Sequence, residues 1–268
     1  MVDTIKIDLD TKFLELKELL KNYQPGIICV SGGMDSSLLY YLTKIWKMDY
    51  LPLFFTGPHI TNTEIKHTID FLSSFSKKFL IEEIDPLVFD EIKNNSKLRC
   101  YYCKKMIFKK ARTIGERLNR LYILDGTNFS DTFSFRPGIW ALKELNIISP
   151  LKEAKITKED IINLFKKTDL SSLKIFSRPC LLTRFSYNYP IDKKKLTLVA
   201  YAEDKLLNMG FNNFRLRVID GKYELHIHNL EKDRFYKNEE KIKNLFDSLN
   251  IDFKVKFLKK ISGYFDKL

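Results

Sequence analysis

No apolar run in this 268-residue chain approaches the roughly 18 residues needed to cross a bilayer. The N-terminal stretch also lacks the short apolar core of a signal peptide. Cysteine is scarce: Cys29, Cys100, Cys103 and Cys180 are too few and too unevenly spaced to staple a chain of this length. No second pair accompanies Cys100 and Cys103, which argues against a structural four-ligand zinc site. Internal repeats, low-complexity segments and arginine runs interleaved with aromatics are missing too, and with them the signature of an RNA-recognition module. These absences point to a cytoplasmic globular protein with reduced thiols and no membrane partner.

Apolar residues make up 44% and aromatics 13%, enough for a sizeable core, and the length suggests two unequal domains. The net charge of +12 would suit RNA or a phosphorylated small substrate. The excess is lysine scattered in pairs, at 77, 104, 109, 166, 193 and 259, which reads as solvated surface. A small nucleotide-like substrate is therefore preferred over RNA, and a homo-oligomer is expected.

The hydrophobic pattern predicts a helix over 11–22, a strand at Ile27–Val30 after Pro25-Gly26, and a helix over 35–47. Strand 50–55, helix 62–76, strand 78–84, helix 103–119 and strand 120–126 follow. This alternation implies an α/β, doubly wound parallel sheet over 1–178. Beyond it, 179–268 reads as a smaller α+β domain: a helix over 192–209, two strands across Gly221, a helix over 231–248 and a final strand in DFKVKF. Phe214, Leu216 and Val218 alternate with Arg215 and Arg217, the pattern of a half-solvated antiparallel strand. His226 and His228 share one strand face and read as surface imidazoles.

The stretch IICVSGGMDSSLLYYL carries the chemistry. Phosphate oxygens need close backbone approach, outward amides and a helix N-terminus. Ser31, Gly32, Gly33, Asp35, Ser36 and Ser37 supply these just after a buried strand, with hydroxyls as further donors and Asp35 to hold Mg²⁺. The string is neither the P-loop GxxxxGK(S/T) nor GxGxxG.

Cys29 lies within an apolar strand and reads as core. Cys100 and Cys103 form a CxxC at a helix start, where Arg99, Lys104, Lys105 and the helix terminus favour thiolate. Half a zinc site, a redox pair and cluster ligation all remain open for that pair. With Cys180 converging on them, three thiolates could hold a [4Fe-4S] cluster and leave one iron open.

SGGxDS resembles the pyrophosphate loop of N-type ATP pyrophosphatases, which implies ATP cleaved between its α and β phosphates. VSGGMDSSLL, RCYYCKKMIF, LDGTNFSDTFSFRPGIWALKELNIISPL, PCLLTRFSYNYPI and FRLRV together resemble the LarE family of sulfur transferases. That resemblance implies adenylation of the carboxylate of a pyridinium mononucleotide, then attack by sulfur. The sulfur comes from the cysteine matching Cys180 or, where a CxxC is also present, from a cluster on Cys100, Cys103 and Cys180. It further implies a substrate site of Arg184, Glu203, Arg215 and Arg217. Rival readings are a tRNA thiolase with the same ATP chemistry, an amide-forming synthetase and a non-catalytic ATP-binding regulator.

Overall fold

The computed structural model describes residues 11–172 and 178–267. They divide into two compact units. The first holds the described residues up to Thr56, Glu64–Ile84 and Cys100–Arg178; the second holds Gly57–Thr63, Asp85–Arg99 and the described residues from Pro179 onward.

In chain order the elements are α1 (Thr11–Lys21), β1 (Gly26–Cys29), α2 (Met34–Ile45), β2 (Tyr50–Thr56), α3 (Asn62–Phe75) and β3 (Leu80–Glu83). Then come α4 (Asp90–Lys93), α5 (Arg99–Arg117), β4 (Tyr122–Leu124), α6 (Gly138–Glu144), α7 (Pro150–Glu153) and α8 (Lys158–Lys166). The strands form one all-parallel sheet in the order β3-β2-β1-β4, as the βα alternation predicts. Its core joins Ile27, Leu53, Phe55 and Ile123 to Phe108, Ala111 and Ile114 of α5. Pro52 sits in an inner strand without breaking the ladder. Leu53 O accepts from Val30 N on the β1 side, so the neighbouring Pro52 faces the other way, and β3 pairs only from Leu53 onward.

The predicted helix over 103–119 begins earlier, at Arg99, which puts both Cys100 and Cys103 in its opening turns. The short helices α6, α7 and α8 have no counterpart in the sequence reading. The first two, at 7 and 4 residues, are too brief to set up a visible period.

The second unit holds α4 and, further along the chain, α9 (Lys193–Asn208), β5 (Phe214–Ile219), β6 (Lys222–His228), α10 (Lys232–Ser248) and β7 (Phe253–Leu258). β5 and β6 form a hairpin through Asp220 and Gly221, both at positive φ (48° and 84°), as a tight right-twisting turn requires. β7 returns parallel to β6 after α10. Leu196, Val199, Ala202 and Leu206 of α9, with Phe214, Leu216, Val218 and Leu225, are fully buried.

Two expectations fail here. β5 is not half-solvated: Arg217 is only 4% exposed and Arg215 is also buried. His226, expected at the surface, has no exposure at all, while His228 is half-buried. The cause is a cover of residues from outside the sheet, both before and after it in the chain. Arg217 donates to Ile261 O (2.7 Å) and Thr183 O (3.2 Å), and the Tyr264 ring lies 4.6 Å from the His226 ring.

Candidate functional site

In the first unit, the sequence order of strands reverses direction about β1, with β2 on one side and β4 on the other. The crevice outside the carboxyl ends of such strands is where open α/β sheets take ligands. The loop after β1 lies there. Gly32 has φ +77°, and a Cβ on it would fall 2.1 Å from Thr68 Oγ1, so neither the backbone nor the space admits another residue. Ser31 N donates to Ser36 Oγ (3.0 Å), the two serine hydroxyls are 3.1 Å apart, and Ser36 Oγ donates to Gly33 O (3.3 Å). Ser36 and Ser37 are buried, so their hydroxyls turn into the loop and core, whereas Ser31 is exposed. The first intrahelical bond runs from Ser37 N to Gly33 O (3.1 Å). This leaves the amides of Met34, Asp35 and Ser36 at the positive end of α2, where an anion binds.

Asp35, in that first turn, accepts from Asn128 Nδ2 (3.0 Å) on one oxygen and from Lys158 Nζ on the other. Lys158 is the first residue of α8. The position is set by a capping box in which Thr157 Oγ1 accepts from Asp160 N (3.2 Å) and Asp160 Oδ2 accepts from Thr157 N (2.8 Å). Lys12 Nζ also reaches Asp160 (2.9 Å).

The turn after β4 completes the site. Gly126 packs so closely on α2 that a Cβ would lie 2.7 Å from Ser36 N. The preceding Asp125 is buried and accepts from Ser149 Oγ (2.7 Å), Thr127 Oγ1 (2.5 Å), Thr127 N (3.2 Å) and Lys104 Nζ (3.2 Å). This network pins the turn that carries Asn128. Burial, then the Asp125 carboxylate, push the Cys29 thiol well up, and Cys29 packs against the core as its apolar strand predicts. Asn128 and Lys158 have no role in the sequence reading, and Lys104 enters it only for its charge beside the CxxC. Asn128 lies in the turn just after β4, and Lys158 stands 123 residues from Asp35 with no local signal tying the two together.

In the second unit, Arg184 and Glu203 form a fully buried fork: Nε to Oε1 at 2.8 Å and Nη2 to Oε2 at 2.9 Å. Glu203 Oε1 also accepts Leu216 N (2.8 Å) on β5. Arg184 Nη1 donates to Pro179 O (3.0 Å) and Cys180 O (3.4 Å), and Thr183 Oγ1 donates to Cys180 O (2.8 Å), so the pair braces the turn bearing Cys180. His59 joins this turn, its carbonyl accepting Leu181 N (2.8 Å). Burial lowers the His59 pKa to about 4, with Asp85 opposing. Burial, then Arg184, bring Arg217 down to about 10. Arg215 and Arg217 lie on one face of β5 opposite His226 and Glu224 of β6.

Cys100 and Cys103 stand one turn apart on α5 in the first unit, and Cys180 belongs to the second. None of the four cysteines is in a disulfide. Among the described residues no group of three His, Cys, Asp or Glu side chains is gathered as a metal-binding set, and no helix is long and apolar enough to cross a membrane.

No protein-family model matches the chain. It is 34% identical over 203 residues to the uncharacterized protein MJ0830 of Methanocaldococcus jannaschii, covering 75% of this chain and 77% of that protein. To the uncharacterized protein slr1717 of Synechocystis it is 26% identical over 210 residues, 78% of each chain. It is a distant homologue, 29% identical over 218 residues, of the pyridinium-3,5-bisthiocarboxylic acid mononucleotide synthase of Lactiplantibacillus plantarum, covering 78% of this chain and 76% of that enzyme.

Proposed function

We propose that this chain, which belongs to the same family as MJ0830 of Methanocaldococcus jannaschii, is an ATP-dependent sulfurtransferase that adenylates a carboxylate of a pyridinium mononucleotide and replaces one of its oxygens with sulfur. The observation that carries the reading is Asp35, held by Asn128 and Lys158 beside the N-terminus of α2 at the sheet's switch point. Distant homology to an enzyme named for a bisthiocarboxylic acid mononucleotide supports the acceptor class.

In this reading the amides of Met34, Asp35 and Ser36 and the ammonium of Lys158 take the pyrophosphate half of ATP, and Asp35 would hold the Mg²⁺ that ATP brings. The substrate carboxylate attacks the α-phosphorus and pyrophosphate leaves. Sulfur then attacks the activated carbonyl and AMP leaves. The cationic groups offset the charge that develops. Arg215 and Arg217 take the nucleotide phosphate, while Arg184 and Glu203 hold the turn that presents Cys180.

The one-turn spacing of Cys100 and Cys103 on α5 suits two adjacent ligands of a [4Fe-4S] cluster, for which Cys180 would be the third thiolate, although the described residues do not gather the three as a set. Such a cluster would supply the transferred sulfide; without it, the Cys180 thiolate displaces AMP to form a thioester, and β-elimination across its Cα–H and Cβ–S bonds then leaves the thiocarboxylate on the substrate and dehydroalanine at position 180. Pyrophosphate release from ATP and nicotinate mononucleotide tests the first half, and Asp35→Asn should abolish it. Release that survives in this variant would sink the assignment of the loop. Anaerobic iron and labile-sulfide analysis of wild type beside Cys180→Ala tests the second half. The charge of +12 favours one alternative, a tRNA thiolase, which predicts RNA binding that falls steeply with salt.

A further inference from the structure

One face of the sheet β5-β6-β7 is polar, and its Arg215, Arg217 and His226 are buried while Lys256 at its edge is exposed. Arg217 Nε donates to His226 Nδ1 (3.1 Å), His226 Nε2 lies 2.9 Å from Glu224 Oε2, and Lys256 Nζ reaches the same carboxylate at 2.8 Å. A guanidinium can only donate, so the imidazole nitrogen facing it must be bare. The ring is then neutral with its proton on Nε2, where Glu224 accepts it. We propose that His226, fixed in this tautomer by Glu224, is the positioning residue that aims Arg217 at the phosphate of the mononucleotide. The inference rests on the role given to Arg217 above.

Three bonds set the guanidinium: Nε to His226, Nη1 to Thr183 O (3.2 Å) and Nη2 to Ile261 O (2.7 Å). The rings of Tyr264 and Phe265 lie 4.9 and 5.0 Å from its Cζ. One N–H on each terminal nitrogen is left over from these bonds, the pair a phosphate takes in fork geometry. The two carbonyls hold the terminal nitrogens, and His226 stops the group from rolling about its long axis. Protonation of Nδ1 would set two N–H groups and two positive charges against each other at 3.1 Å.

The groups facing His226 decide when that happens. Arg217 and, opposite in register, Arg215 approach from β5, Glu224 from β6, Lys256 from β7 and Tyr264 from the covering segment. Burial comes first and lowers the histidine's pKa; Arg217 and Lys256 act in the same direction and Glu224 opposes them. The ring is thus neutral at neutral pH, and its protonation belongs to the acid side of the ordinary histidine range.

Two measurements on the full-length protein test this. Nitrogen NMR of wild type labelled with ¹⁵N-histidine at pH 7.5, with His226→Asn identifying the signal, should show Nδ1 bare and Nε2 protonated. Calorimetric titration with nicotinate mononucleotide from pH 7.5 to 5 should show wild-type affinity falling about tenfold more than that of His226→Asn, whose amide oxygen can still accept from Arg217 but does not titrate. The asparagine variant serves as the reference because the ligand's own phosphate titrates in this range. His226→Phe should bind weakly at every pH. A protonated Nδ1 at pH 7.5, or parallel pH profiles for wild type and His226→Asn, overturns the positioning role. No binding by wild type at any pH, with the expected tautomer seen, overturns the mononucleotide reading instead and takes the phosphate-aiming role with it.

Discussion

Gly32→Ala separates what the loop's backbone does from what its side chains do. Two penalties fall on the alanine. At φ +77° it enters the left-handed region, at about 1–2 kcal/mol. Its Cβ would also lie 2.1 Å from Thr68 Oγ1, far inside van der Waals contact, and such overpacking costs about 1–3 kcal/mol more. The sum, about 2–5 kcal/mol, is a large part of the roughly 5–15 kcal/mol that holds a domain folded. Thr68→Ala removes the clashing oxygen and leaves that residue's Cβ at 3.3 Å, a tight but tolerable approach. Only the backbone strain remains in the double variant. Urea denaturation of the four proteins closes the cycle, with a coupling of about 1–3 kcal/mol between the two sites, and pyrophosphate release should recover along with stability. A Gly32→Ala protein as stable as wild type would refute the reasoning. So would a Thr68→Ala change that recovers nothing in the Gly32→Ala background.

Three further outcomes follow from the same geometry. Lys158→Ala should raise the KM for ATP at least tenfold with little change in the urea midpoint, because the ammonium is half-exposed and lies on Asp35; an unchanged KM would remove it from the phosphate site. His59 is 6% exposed, with its pKa lowered from 6.5 to about 4, so the native state keeps it neutral while the unfolded chain takes a proton below 6.5. Stability should therefore fall as pH drops from 6.5 to 4, by about 3 kcal/mol more in wild type than in His59→Gln, and equal slopes would contradict the burial argument. Glu203→Gln leaves the Arg184 charge buried without its counter-charge and should cost about 3–5 kcal/mol in urea denaturation, with Cys180 alkylated faster by iodoacetamide as its turn loosens; a loss below 1 kcal/mol would mean that the fork carries little weight.

The parts of the fold that were legible are those in which one strand or helix suffices to give the signal. β1 and β2 are continuous apolar runs because a parallel sheet is covered on both faces, and the break at Asp220-Gly221 names its own turn. The phosphate loop was legible for the same reason: every requirement it meets, small residues, a preceding strand and a following helix, lies within ten residues. Asn128 and Lys158 satisfy requirements set by a residue about a hundred positions away, and only the order β3-β2-β1-β4 brings them to it.

β5 shows why local pattern misled. Alternation of apolar and charged residues means one solvated face only when nothing in the chain can satisfy the charges away from water. Arg217 has His226, two carbonyls and two aromatic rings for that purpose, contributed by β6, the Cys180 turn and residues 261–265. Arg184 has Glu203, which also accepts a backbone amide of β5 and so holds helix, strand and turn together. Buried cations bound this completely come at a cost in desolvation that packed leucines would avoid. Their presence on one face of a small sheet is therefore weak evidence for stability and better evidence for use. A face that exists to be filled by an anion must keep its charges, and it can keep them dry only by giving each a partner that the anion does not have to displace.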